Sequence, residues 1–192
     1  AVIHPECQRI YKYGKYKEDS SKLLHINKPT EKMVFSSICK RIEELRQTML
    51  PKKQLIIAID GVAGLSKITQ QRQRRFKSSL ERNSQEFDSN KITTGSEFMF
   101  NLSKYINIFI RNKLENEWKD LEIIFSNEKV VGEGEHKIIR HMHINTQKYN
   151  YTTVSPDADL IMLKMGIISK NNYILRENIY NDIDAKYFVV NV

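Results

Sequence analysis

Five carboxylates stand at three separated places in this chain: Asp60 in IAIDG, Glu133 and Glu135 in GEGEHK, and Asp157 and Asp159 in PDADL. Each place follows a short apolar run of the kind that forms a strand. In an open parallel α/β sheet the loops after the strands share one edge, and ligands bind there. Five carboxylates gathered on one edge repel one another unless a cation sits among them. Hard oxygen donors of this type suit Mg²⁺ or Mn²⁺. Two such ions about 3.5–4 Å apart would use all five acids, one activating an attacking water and the other stabilising a leaving oxygen. The chemistry this pattern suits is phosphate chemistry.

Taken singly, each acid has a plainer explanation. Asp60 precedes Gly61, and alone it reads better as a turn or N-cap aspartate. Glu133 and Glu135 are two apart, so they point the same way only in an extended segment, with Gly134 allowing close backbone approach. The alternative is an acidic first helical turn that complements the helix dipole. Asp157 and Asp159 repeat the spacing and could equally cap an apolar helix. Repetition at three strand ends is what favours a shared site.

A second constellation is basic. In Lys67-Ile-Thr-Gln-Gln-Arg-Gln-Arg-Arg-Phe-Lys77, the residues Lys67, Gln71, Arg74 and Arg75 fall on one helix face, and no acid lies among them. Arginine forks and a lysine point charge can grip a phosphate there. A solvated basic face is the bland alternative, weakened by the position of the run just after Asp60. An acidic metal site beside a phosphate-gripping helix is the layout of a nuclease. His136, His141 and His143 do not read as zinc ligands, because His141 and His143 face different ways on a helix.

The elements that must position these groups alternate between strands and helices. AVIHPEC reads as the end of a strand, and residues 9–28, with Tyr11, Tyr13 and Tyr16 among lysines, read as an irregular excursion. Met33, Val34, Ile38, Ile42, Leu45 and Met49 follow helical spacing, with Thr30 as N-cap and Pro51 as the stop. QLIIAID reads as a strand buried on both faces. A basic helix follows over about 67–84, then a polar turn at FDSN. A helix over 95 to about 115 carries Phe98, Leu102, Tyr105 and Phe109, with Thr94 and Glu97 at capping-box spacing. LEIIFS, YTTVS, NYILRE and KYFVVNV read as further strands, and GEGEHKIIRHMHI and DADLIMLKMG as helices. Trp118 and the methionines read as core. The pattern predicts an α/β fold with a mostly parallel central sheet flanked by helices.

The 192 residues suffice for one core, so a single domain over 1–192 is expected. A formal net charge of +8 favours a polyanionic partner, although a lysine-rich surface also serves solubility. Cys7 and Cys39 form neither a disulfide framework nor a zinc site, which points to a reducing compartment. No 18-residue apolar run is present to span a membrane, and no signal peptide is legible. Beginning and ending inside apparent strands, the chain reads as part of a longer one. The Asn-, Ile- and Lys-rich composition is of the kind an AT-rich genome encodes, viral or parasitic.

Taken together, IIAIDGVA, KITQQRQRRF, FDSNKITTGSEFM, VGEGEHKI, PDADLIMLKM and YILREN resemble, in order and over most of the chain, the 5′→3′ exoribonuclease family, enzymes that degrade 5′-monophosphorylated RNA. Even VIHPEC is similar to the segment after that family's first catalytic strand. The resemblance implies a PIN/flap-nuclease-like fold. It implies that Asp60, Glu133, Glu135, Asp157 and Asp159 match the family's metal-site acids. It implies that Lys67, Gln71, Arg74 and Arg75 match its pocket for the RNA 5′-phosphate, too small for a cap or triphosphate. His4 matches a histidine that stacks near the first base and helps the strand advance. Gly64-Leu65-Ser66 replaces a Pro-Arg-Ala type segment, and Val131 replaces a proline. The family's first catalytic aspartate would lie just before Ala1, and a further acid, in a Gly-Asn-Asp block, after Val192.

The reading that follows is a metal-dependent core hydrolysing single-stranded RNA with a 5′-monophosphate to mononucleotides. Its cofactor would be Mg²⁺ or Mn²⁺, with two ions, and its place the cytoplasm or nucleus. Protein partners are not legible. The alternatives are a non-catalytic RNA-binding scaffold of the same fold, or a flap-type DNA endonuclease.

Overall fold

A computed structural model describes residues 2–13, 29–81, 87–145, 149–167, 171–178 and 185–192. The chain divides into two compact units, residues 2–133 and 134–192. Tyr16 lies outside the described residues.

The first unit opens with helix α1, Ile3–Tyr11, where a strand end was expected. Pro5 is its third residue, in the first turn, where a missing N–H costs no intrahelical bond. Ile3, Cys7 and Ile10 recur at helical spacing and pack on the core, with Cys7 fully buried. Tyr11 and Tyr13, expected in an irregular excursion, join an aromatic cluster: Tyr11 stacks on Phe87 at 4.0 Å between centroids, and Phe87 lies against Phe98.

Helix α2, Glu31–Met49, begins as its sequence predicts: Thr30 Oγ1 accepts the Met33 N–H at 3.3 Å. Val34, Ile38, Ile42 and Leu45 form its buried stripe, while Met33 stands 48% exposed beside it. Strand β1, Gln54–Ala58, pairs in parallel with β2, Glu122–Ser126, from Gln54 opposite Glu122 to Ala58 opposite Ser126. Leu55 and Ile59 are buried, but Ile56 to Ala58 are only half-buried, so β1 is not the doubly covered strand expected.

Between β1 and β2 run helix α3, Leu65–Glu81, a 3-10 turn at Ser89–Lys91, and helix α4, Glu97–Leu114. The expected capping box does not form. Gly95, at φ +87, turns the chain sharply, and Ser96 becomes the N-cap, accepting the Met99 N–H. Helix α4 sends Phe98, Met99, Leu102, Ile106 and Ile110 into the core. Trp118 is fully buried, as expected, and donates Nε1–H to Glu43 at 3.0 Å.

The second unit holds helix α5, Gly134–Ile144, strand β3, Tyr151–Val154, helix α6, Asp159–Met165, and strands β4, Asn172–Glu177, and β5, Tyr187–Asn191. Strand β4 pairs in parallel with β3 and antiparallel with β5. Met142, Leu160 and Ile174 are fully or nearly fully buried. The fold is thus α/β, but the described strands form two hydrogen-bonded sheets, one of two strands and one of three. Of the methionines, Met99 and Met142 are core, whereas Met162 and Met165 are exposed along with Met33. Both cysteines are free and buried, and burial pushes each thiol up to about 12.

Candidate metal centre and phosphate face

Asp60 leaves β1 two residues after Ala58, exposed at the carboxyl end of the strand. The ladder continues past the strand, since Ile59 N–H donates to Ser126 O at 2.9 Å. The loops after β1 and β2 then pair with each other: Gly61 N–H donates to Gly132 O, and Gly132 N–H to Val62 O, both at 2.9 Å. This pairing places Asp60 and Glu133, each next to one of these glycines, on one edge of the parallel pair. It explains both glycines. Gly132 has φ +108, a region that favours glycine. Gly61 is needed for room rather than for a special φ, because a Cβ there would lie 1.8 Å from the Val130 carbonyl oxygen.

Other contacts fix these loops. The Thr94 hydroxyl, released from capping α4, donates to the Asp60 carbonyl at 3.1 Å. Glu128, buried in the loop before Glu133, accepts from the Ser103 hydroxyl of α4. A serine inside the apolar stripe of α4 was the sequence signal for that anchor, and the Gly61–Gly132 pairing had none beyond the glycines themselves.

Helix α3 brings the basic face to the same edge. Lys67 Nζ lies 3.0 Å from Glu133 Oε2. His4 is exposed at the start of α1, yet desolvation by the atoms around it lowers its imidazole pKa below the ordinary value, with Arg74 adding to this and Asp60 opposing it. His4, Arg74 and Asp60 are therefore electrostatic neighbours. Arg75 hydrogen-bonds the Thr93 hydroxyl, Ser78 and Ser89 hydroxyls meet at 3.3 Å, and Asn90 donates to Ser79 at 2.8 Å. Every described side chain of α3 is half-buried or exposed, so polar contacts, not core packing, hold it against the 3-10 turn.

In the four consecutive residues 133–136, a carboxylate oxygen from each of Glu133 and Glu135 and a ring nitrogen of His136 lie within 4.8 Å of one another. His136 was set aside with the other histidines on sequence grounds. Glu135 stands in the first turn of α5. In the second unit, Asp159 opens α6, and Asp157 precedes it. The cap position belongs to Ala158, which makes no side-chain cap. Instead Asp157 Oδ1 accepts the Asp159 N–H at 3.2 Å, and Asp157 N–H donates to Ser155 Oγ at 3.0 Å. Arg176 of β4 donates to the Pro156 carbonyl at 2.6 Å and braces this loop. Both aspartates remain exposed. The two carboxylates and the imidazole within residues 133–136 form a donor set that a divalent cation could use.

The profile of the family described as XRN 5'-3' exonuclease N-terminus matches residues 1–86 and 78–178. The chain is 42% identical over 173 residues to 5'-3' exoribonuclease 1 of Saccharomyces cerevisiae, covering 78% of the chain and 11% of that protein. It is 36% identical over 180 residues to 5'-3' exoribonuclease 2 of Arabidopsis thaliana, covering 77% and 18%. To 5'-3' exoribonuclease 1 of Homo sapiens it is 32% identical over 169 residues, covering 76% and 10%. The chain thus spans less than a fifth of the length of each of these relatives.

Proposed function

The chain belongs to the XRN 5'-3' exonuclease family, and from that premise we propose that it is the core of a metal-dependent 5′→3′ exoribonuclease. Its substrate is single-stranded RNA with a 5′-monophosphate, released stepwise as mononucleotides. Residues 1–192 then act as one PIN/flap-nuclease-like catalytic domain. The observation that carries this reading is the shared edge of the first unit, where Asp60 and Glu133 stand beside Lys67, Arg74 and His4.

Asp60, Glu133, Glu135, Asp157 and Asp159 hold Mg²⁺ or Mn²⁺ in this reading, with His136 as an added donor. A divalent cation bound by such acids supplies Lewis-acid stabilisation of charge at a phosphodiester and lowers the pKa of water. Lys67, Gln71, Arg74 and Arg75 bind the terminal phosphate through N–H donors and positive charge. Arg75 presents its guanidinium from a fixed position, because Thr93 holds it. His4, exposed at the start of α1, offers its ring for stacking on the first base. Together these residues would hold the first nucleotide beside Asp60 and Glu133. Such positioning supplies much of an enzyme's rate. The place of action is the cytoplasm or nucleus.

Asp60→Asn in the full-length protein tests the assignment. Turnover of 5′-phosphorylated RNA should fall at least about 100-fold, since charge stabilisation at one such group is worth that much, while RNA binding persists. Turnover within twofold of wild type would reject it.

A further inference from the structure

We propose that Lys104, Lys129 and Phe100 form a second RNA subsite, which grips a phosphodiester 3′ of the first nucleotide. The proposal rests on the nuclease reading above and extends it to the body of the strand. Lys104 Nζ lies 4.2 Å from the centre of the Phe100 ring, and Lys129 Nζ lies 5.0 Å from the same centre. The first contact is a helical one, since Phe100 and Lys104 are four apart on α4. The second is not, because Lys129 comes from the loop after β2. Both lysines are exposed, and Phe100 is 38% exposed between them and the core. Among the described residues neither ammonium has a carboxylate partner. Lys113, near the end of the same helix, differs: it pairs with Glu117 at 2.8 Å.

The cluster is anchored, and it lies next to the acids. Glu128, the residue before Lys129, is buried and accepts from Ser103 of α4. Val130, the residue after it, has its carbonyl against Gly61, which follows Asp60. On the α4 side, the Phe100 N–H donates to the Ser96 carbonyl at 3.1 Å, and Thr94 just before that cap donates to the Asp60 carbonyl. Two segments that frame the acid edge thus converge on one ring. The ring attracts each ammonium to its π-system, while the two like charges repel one another. An anion between them removes that repulsion. A single strand of RNA offers one at every linkage. The terminal phosphate is met by α3, so what reaches Lys104 and Lys129 is a phosphodiester farther along the strand. The lysines make the contact, and Phe100 is a positioning residue. Such a grip adds affinity for the strand without selecting its end.

The test measures RNA affinity on the full-length protein. The probe is a short RNA with a non-hydrolysable first linkage, carrying either a 5′-phosphate or a 5′-hydroxyl. Lys104→Gln combined with Lys129→Gln should weaken both RNAs alike, by about 10-fold, and leave the preference for the 5′-phosphate as in wild type. The slope of log affinity against log salt should fall by about 1.4, the share of two single-strand contacts. Lys53→Gln combined with Lys119→Gln removes the same charge just before β1 and β2, at the end of the parallel pair away from Asp60 and Glu133. That variant should stay within about twofold of wild type. Phe100→Leu should cost about threefold in wild type and nothing once both lysines are glutamine, since its effect passes through them. No loss in the Lys104/Lys129 variant, an equal loss in the Lys53/Lys119 variant, or a loss confined to the 5′-phosphate RNA overturns the subsite. An equal cost of Phe100→Leu in both backgrounds removes the ring from it. A wild type indifferent to the 5′ end, yet weakened by the Lys104/Lys129 variant, would reject the end-selective reading and keep the subsite. A wild type that binds no RNA would overturn both.

Discussion

A methyl group on Gly61 would stand 1.8 Å from the Val130 carbonyl, backbone that cannot swing aside, so Gly61→Ala must part the two loops that carry Asp60 and Glu133. Overpacking of this kind costs about 1–3 kcal/mol. Urea denaturation should show that loss for Gly61→Ala. Gly64→Ala, whose added methyl meets nothing within 4 Å, should change stability by less than about 0.5 kcal/mol. Equal effects would mean that the loop pairing does not hold the edge together. Lys164 is a second informative residue. It is fully buried in α6, and its ammonium donates to the Tyr173 carbonyl at 2.7 Å. Burial pulls its pKa down from 10.5 to about 8. The folded state therefore disfavours the charged form. Below about pH 8 both folded and unfolded chains carry the proton, and the full penalty is present. Between about 8 and 10.5 the unfolded chain binds more protons, so stability rises with pH. A shift of this size corresponds to roughly 3 kcal/mol. The difference in stability between wild type and Lys164→Met should narrow in favour of wild type across that window. A difference independent of pH would contradict the assignment of a depressed lysine.

Helices α3 and α4 lie between the same two strands but are held by different forces. Helix α4 buries five apolar side chains, whereas α3 buries none and is held through Arg75, Ser78 and Ser79. Local opening follows the density of buried apolar contacts. Amide hydrogen exchange should therefore be at least about tenfold faster in α3 than in the middle of α4, and Arg75→Ala should widen the gap. Equal protection would show that packing, not polar clamping, secures α3. The same contrast explains what could be read from the sequence. Periodic apolar stripes gave α2 and α4, and the Thr30 cap, because those signals are local. The basic face of α3 was legible from Lys67, Gln71, Arg74 and Arg75 alone. The start of α4 was misplaced by two residues, because Gly95 takes a left-handed turn that moves the cap from Thr94 to Ser96. The opening segment read as a strand because Pro5 masks a helix whose first turn tolerates it. The pairing of Gly61 with Gly132 needs two loops some seventy residues apart in sequence to meet, and no local pattern announces that.

At the scale of the whole molecule, the net charge of +8 and the basic face predict an electrostatic component in RNA binding. Three to four phosphate contacts on a single strand would lower affinity roughly 20- to 50-fold between 50 and 200 mM salt. Salt-insensitive binding would count against a phosphate grip. No helix among the described residues is long and apolar enough to cross a membrane. The α/β class and the family were both legible from motifs in order along the chain, since each motif carries its own chemistry. The division into a two-stranded and a three-stranded sheet was not, because strand pairing depends on contacts that alternation alone does not encode. The most direct test of the central claim is degradation of single-stranded RNA by the full-length protein with Mg²⁺, comparing 5′-phosphate, 5′-hydroxyl and 5′-triphosphate ends. Mononucleotide release from the 5′-phosphate substrate alone is the predicted result. RNA bound but left intact at all three ends, or cut without regard to the end, would contradict it.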